Sequence, residues 1–255
     1  MPIDIRQFPC LSDNYGYLVH DRESGETATI DTPDPAAINS ELAAAGWRLT
    51  HIYNTHHHWD HAGGNLALKE QWDCVIVGPK GEAEKIPGID QAAGNGEVVN
   101  LGASTATIHE TPGHTLGHII YHFADDKAAF VGDTIFAMGC GRLFEGTPEQ
   151  MWASLSMIAK MPADTKLYCA HEYTKTNAAF ALSVDPMNTD LKKRSAEVDA
   201  LRAKNIPTVP TTVAQELATN PFLRAANASL QTAINMPGAT PVDAFAETRR
   251  LKDNF

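Results

Sequence analysis

Cysteine is scarce: the 255 residues hold four, Cys10, Cys74, Cys140 and Cys169. They lie far apart and form no CxxC pair, which argues against a disulfide framework. Reduced thiols in a cytoplasmic protein are expected instead. Positive charge is short as well, with 20 Lys and Arg against 31 Asp and Glu and a formal net charge of −11. Nucleic acid and anionic membrane surfaces are poor partners for such a chain. No apolar run approaches membrane-spanning length. The opening Met1-Pro2-Ile3-Asp4-Ile5-Arg6 has no basic region followed by a long apolar stretch, so no signal peptide is expected. There is no Gly-x-Ser-x-Gly elbow, internal repeat or low-complexity tract. The chain is 43% hydrophobic. That is enough for a substantial core, in one large domain or two closely docked ones.

Histidine, in contrast, is concentrated. Thr55-His56-His57-His58-Trp59-Asp60-His61 packs four histidines and one aspartate into six consecutive positions, and Gly63-Gly64 follows. In extended backbone His56 and His58 leave the same face, Asp60 shares that parity and His61 lies one step off it. A single loop of this kind presents two ligand pairs to two adjacent metal ions. Imidazole and carboxylate suit zinc, iron or manganese, and no thiolate is needed. An internal, interrupted run is not an expression tag.

Other segments offer further ligands. The alternating run Thr105 to Glu110 predicts a strand ending at Thr111-Pro112-Gly113-His114, where a Pro-Gly turn aims His114 outward. Ala128 to Gly132 predicts a buried strand with Asp133 at its tip, and Leu167 to Ala170 repeats the pattern with His171. A lone histidine at a strand end is usually structural, but three such tips beside a histidine loop are hard to explain without metal. His57 and His118 read as structural or supporting residues. Asp31, at a strand end, either supports a ligating histidine or caps a turn before Thr32-Pro33. Cys140, between Gly139 and Gly141, reads as a small packing residue.

Residues 1 to about 170 alternate strand and helix. Strands are expected at 17–20, 28–31, 52–55, 74–77, 119–121 and 129–131, with a helix over 64–72. Asp34-Pro35 opens a helix that Gly46 stops. Thr147-Pro148-Glu149-Gln150 is a capping box for a helix through Lys160. After about residue 174 the strands stop, and helices are expected at 174–184, 190–204, 213–218 and 241–252. The expected division is 1–174, carrying the metal, and 175–255, helical. Lys192-Lys193-Arg194 reads as solvated surface.

These residues resemble the metallo-β-lactamase superfamily, whose THxHxDH signature stands here as Thr55 to His61. The resemblance is closer still to its glyoxalase II, or hydroxyacylglutathione hydrolase, family, and covers nearly the whole chain. It includes Ser12-Asp13-Asn14-Tyr15, Gly139 to Thr147, His171-Glu172-Tyr173-Thr174, Asn220-Pro221-Phe222-Leu223-Arg224 and Arg249 to Asp253. The resemblance implies an α/β fold, a four-layer αββα sandwich with an α-helical C-terminal domain. It implies two divalent ions, zinc with iron or manganese as alternatives. His56, His58 and His114 would hold the first, Asp60, His61 and His171 the second, and Asp133 would bridge both. It also implies that the tail binds glutathione: Arg249 and Lys252 meet the glycine carboxylate, with Arg142 and Tyr173 nearby. Phe144 departs from the pattern, since some members carry tyrosine there.

The implied reaction is hydrolysis of an S-(2-hydroxyacyl)glutathione, such as S-D-lactoylglutathione, by a cytoplasmic monomer in methylglyoxal degradation. Asp60 and Asp133 would be its catalytic carboxylates. The thiol leaves readily, with a pKa of about 8.5. What neutral water lacks is hydroxide, and metal lowers the pKa of bound water to about 7. Arg249 and Lys252, three apart, share a helix face. The strongest rival is a glutathione persulfide dioxygenase with one iron; the second ligand set and the tail motifs argue against it. A class B β-lactamase would lack the tail, and a non-catalytic relative would have lost ligands.

Overall fold

The computed structural model describes residues 3–255; Met1 and Pro2, in the opening segment read above, lie outside the described residues. The chain divides into two compact units. One holds the residues up to Glu110 with Leu116–Gly132, and the other Thr111–Thr115 with Asp133–Phe255.

In the first unit β1 (Ile3–Cys10) and β2 (Asn14–Asp21) form a long antiparallel pair, from Ile3 opposite Asp21 to Cys10 opposite Asn14. β3 (Thr27–Ile30) adds antiparallel to β2. β4 (His51–Tyr53), β5 (Val75–Pro79) and β6 (Gln91–Ala93) follow in parallel. Parallel neighbours need crossovers, and helices supply them. α1 (Pro35–Ala45) lies between β3 and β4, while α2 (Trp59–Ala62) and α3 (Asn65–Trp72) lie between β4 and β5. α1 starts and stops as its sequence dictates: Asp34 accepts from the amides of Ala36 and Ala37, and Gly46 closes it at φ 71°. Ile38 and Leu42 of α1 pack with Leu18, Leu49, Ile52, Leu68 and Ile76. Burying a side chain of this size contributes about 1.5–3 kcal/mol, so this layer fixes the end of β4 from which the histidine loop leaves. β7 (Val98–Leu101), β8 (Ser104–Glu110), β9 (Ile119–Phe123) and β10 (Ala128–Gly132) run antiparallel in sequence order.

The second unit carries the short hairpin β11 (Ile135–Phe136) and β12 (Gly139–Cys140). α4 (Pro148–Ile158) opens on the expected Thr147–Gln150 capping box. β13 (Lys166–Cys169) pairs with β14 (Thr211–Thr212), so strand structure does not end at residue 174. Two residues of β14 are too few for alternation to reveal. α5 (Thr174–Val184) and α6 (Thr189–Arg202) bury Ala178, Ala181, Leu191 and Val198 together. α7 (Val213–Thr219), α8 (Ala228–Ala233) and α9 (Pro241–Asp253) complete the tail. Phe222 packs between Phe180 and Phe245. Arg194 corrects the reading of its basic triplet as solvated surface. It is buried, and its guanidinium donates to the Thr208 carbonyl at 2.9 Å while pairing with Glu197. Among the described residues no helix is long and apolar enough to cross a membrane.

Candidate metal centre

The histidine loop belongs to the first unit. His56 to His58 are non-helical, but the chain turns helical at Trp59. This corrects the strand parity expected for Asp60. Asp60 and His61 are instead neighbours on one helical turn, and His61 Nε2 lies 3.4 Å from Asp60 Oδ2. Nε2 of His56 and Nδ1 of His58 converge to 3.0 Å, and the rings of His56 and His61 approach to 4.0 Å between centroids.

Asp31 organises this set. It is buried, and its backbone lies in the left-handed region at φ 57°, which aspartate tolerates better than most residues. Its carboxylate accepts from the Thr55 amide at 2.7 Å, the Thr55 hydroxyl at 2.8 Å and His61 Nδ1 at 2.8 Å. Because the Thr55 hydroxyl donates to Asp31, its oxygen takes the Nδ1 proton of His56 at 3.1 Å. Both rings are thereby held as Nδ1–H tautomers with the lone pair on Nε2, the form that metal-binding histidines require. The supporting role of Asp31 prevails over the turn-capping one.

The second unit carries the other expected ligands. His114 Nε2 lies 3.4 Å from Asp133 Oδ2, and His171 Nε2 lies 3.5 Å from Asp133 Oδ1. One carboxylate thus turns an oxygen to each of two histidines. His114 donates Nδ1–H to the Arg142 carbonyl at 2.8 Å, which again leaves Nε2. All three side chains are buried. Imidazole nitrogens with fixed tautomers, together with carboxylate oxygens, are the donor set of a divalent metal, and the described residues fit one.

The sequence reading missed two supports. Glu82 is buried; its Oε1 accepts from the His57 amide at 2.8 Å and its Oε2 from the Gly117 amide at 3.1 Å. It ties the histidine loop to the segment entering β9, and His57 Nδ1 lies 3.1 Å from it. Asn14 donates to Asp60 Oδ2 at 3.0 Å. The only signal for Asn14 was its place in a family motif, and Glu82 sits in the charged stretch Lys80–Lys85, which resembles surface. His118 is fully buried and stacks on the His56 ring at 4.9 Å, a supporting place as expected. Gly132, at φ 48°, has no room for a Cβ, which would stand 2.6 Å from His118 Nε2.

The four expected substrate contacts all lie in the second unit. Tyr173 is partly exposed and stacks on the His171 ring at 4.7 Å and 2°. Arg142 is exposed, 3.5 Å from Asp253. Arg249 and Lys252 share a face of α9 but differ in surroundings. Arg249 is buried, bonded to the Cys140 carbonyl at 3.1 Å and to Asp253 at 2.8 Å, over the Phe222 ring. Lys252 is half-buried over Phe180 and Phe255; desolvation, then Arg249, lowers its pKa. Burial pushes the Cys140 thiol up to about 11, which suits packing and not nucleophilic attack.

Residues 16–171 match the model of the metallo-beta-lactamase superfamily, and residues 172–255 that of the hydroxyacylglutathione hydrolase C-terminus. A Staphylococcus aureus structure named as a metallo-beta-lactamase is similar at TM-score 0.67 and 19% identity, over 98% of this chain and 71% of that one. The fold is therefore the mixed α/β metallo-β-lactamase fold with a helical C-terminal part. The hydroxyacylglutathione hydrolase of Maricaulis maris is 54% identical over 98% of both chains. That of Hyphomonas neptunium is 54% identical over 99% of this chain and 98% of its own. The chain belongs to the hydroxyacylglutathione hydrolase family.

Proposed function

We propose that the protein hydrolyses S-(2-hydroxyacyl)glutathione thioesters, such as S-D-lactoylglutathione, at one centre of two divalent ions. The observation that carries this reading is Asp133, whose two carboxylate oxygens face His114 and His171 separately. Donor side chains in both units support it: His56, His58, Asp60 and His61 in the first, and His114, Asp133 and His171 in the second. Asp133 bridges. Zinc is the first expectation, with iron or manganese as alternatives.

Divalent ions in such a centre supply an acidified water and polarise the thioester carbonyl. The chain's residues do the rest. Asp60, fixed by the Asn14 amide, orients the attacking water and takes its proton. Asp31 and the Arg142 carbonyl hold the histidines in ligating tautomers. The glutathione sulfur leaves as thiolate, with a thiol pKa of about 8.5. Tyr173 and Arg142 flank the tripeptide, and Arg249 and Lys252 meet its glycine carboxylate. The same reading takes the enzyme as a cytoplasmic monomer; four buried free cysteines support a reducing compartment.

Metal-loaded protein should release free glutathione from S-D-lactoylglutathione, and chelator-treated protein should not. Equal rates with and without chelator would sink the reading. Lys252→Ala should raise KM by roughly tenfold, since a charge-assisted bond contributes about 1.5–3 kcal/mol. The value of kcat should change much less, because such a contact acts alike in ground and transition states. Arg249→Ala should raise KM and also lower thermal stability, as it removes a buried bond to the Cys140 carbonyl. A small thioester lacking the glycine carboxylate is the control. If Lys252→Ala impairs both substrates equally, the recognition role is wrong.

A further inference from the structure

Three side chains from the C-terminal tail grip a backbone hairpin that leads away from Asp133. Glu216, on α7, is fully buried. Its Oε2 accepts from the Met138 amide at 2.8 Å and from Asn220 Nδ2 at 2.9 Å, and its Oε1 from the Thr211 hydroxyl at 2.6 Å. Asn220, also fully buried, shares its amide hydrogens further with the carbonyls of Phe136 at 3.2 Å and Gly139 at 2.9 Å. Its own Oδ1 accepts from the Phe222 amide at 3.0 Å, which fixes the amide's orientation. Asn177 on α5 donates to the Ala137 carbonyl at 3.2 Å. Every residue from Phe136 to Gly139 is therefore held by a side chain from the tail.

The grip has something to hold. Met138 lies in the left-handed region at φ 55°. A side-chain-bearing residue there costs free energy and persists only where its surroundings determine it. The amide of Met138 is the group that Glu216 takes.

The hairpin's two ends belong to the metal centre. One end is Asp133. The other is Gly141-Arg142, and the Arg142 carbonyl fixes the His114 tautomer. The ends nearly touch: a Cβ on Gly141 would stand 2.0 Å from the Asp133 carbonyl oxygen and 3.2 Å from His114 Nδ1. A shift at the tip is thus passed to both ends, because two short strands and a tight turn leave no slack between them.

We infer that Glu216 and Asn220 are positioning residues for the metal centre, setting Asp133 and His114 through the β11–β12 hairpin. The inference rests on the metal-centre reading above. It gives the tail a second task besides glutathione recognition, carried by residues that touch neither substrate nor metal.

The test uses full-length protein loaded with cobalt(II), read by its absorption spectrum and by metal retention against a competing chelator. Glu216→Ala and Asn220→Ala should lose metal at least about tenfold more readily than the parent, the size expected when a ligand's support is removed. Their cobalt spectra should shift. Glu216→Gln should be close to the parent. Its amide oxygen can accept from Met138 and Asn220, and its NH2 can turn to the Thr211 hydroxyl. Gln231→Ala is the control: this buried amide bonds the Ala225 and Ala239 carbonyls, away from the hairpin. It should lower the melting temperature and leave spectrum and retention unchanged. Should the alanine variants fail to fold, Asn220→Ser carries the same test. The inference is overturned if these variants hold cobalt as tightly as the parent with the same spectrum. It is equally overturned if Gln231→Ala loosens the metal as much. A parent that binds no cobalt would instead sink the metal-centre reading itself.

Discussion

Asp133→Ala is expected to leave the protein with at most one metal ion and almost no thioesterase activity. No other proposed ligand serves both ions. In the structure its two oxygens face different histidines, at 3.4 Å from His114 and 3.5 Å from His171. Alanine removes a bond from each ion and the anion between two cations, which stand about 3.5–4 Å apart in sites of this type. At that separation two divalent ions repel with four times the energy of two unit charges, roughly 17 kcal/mol even at an effective dielectric constant of about 20. Asp133→Asn keeps the shape and loses the charge, so it should fall between alanine and the parent. Metal analysis with turnover on S-D-lactoylglutathione decides the matter. Two ions retained with normal turnover would remove Asp133 from the bridge.

Asp31→Ala should do almost as much damage without touching a proposed ligand-metal bond. It deprives the Thr55 amide, the Thr55 hydroxyl and His61 Nδ1 of their shared acceptor. A buried donor left without a partner costs about 1–3 kcal/mol. The effect reaches two proposed ligands, His61 directly and His56 through Thr55. Metal retention should drop by roughly 10- to 100-fold, the usual range for removing a ligand's hydrogen-bond partner. Asp31→Asn also tolerates the left-handed backbone at φ 57°, so it separates lost charge from backbone strain. Parent-like retention in both variants would return Asp31 to the role of a turn residue.

Features specified by neighbouring residues were legible in the sequence. Asp34-Pro35 and Gly46 bound α1, and the Thr147–Gln150 box starts α4, because caps act within one helical turn. Turn chemistry and apolar runs likewise brought out β8 to β10. Features specified by distant partners were not legible. β1 alternates too weakly to declare itself, yet pairs with β2 along its whole length. Glu82 reads as one more charge between lysines until the fold sets it on the His57 and Gly117 amides. Arg249 and Lys252 look equivalent as a spaced pair. Only the packing of α9 shows that one is bonded to the Cys140 carbonyl and the other lies half-buried over aromatic rings. The loop misled at Asp60, since a single helical turn beginning at Trp59 breaks the alternation of the residues before it.

The central claim is that one centre of two ions performs the hydrolysis. The most direct test is a titration of metal-free protein with zinc, following activity on S-D-lactoylglutathione against ions bound. The account predicts full activity only as binding approaches two ions per chain, with His114 and His171 both needed to reach that number. Full activity at one bound ion per chain, or two bound ions and no thioester hydrolysis, would contradict it.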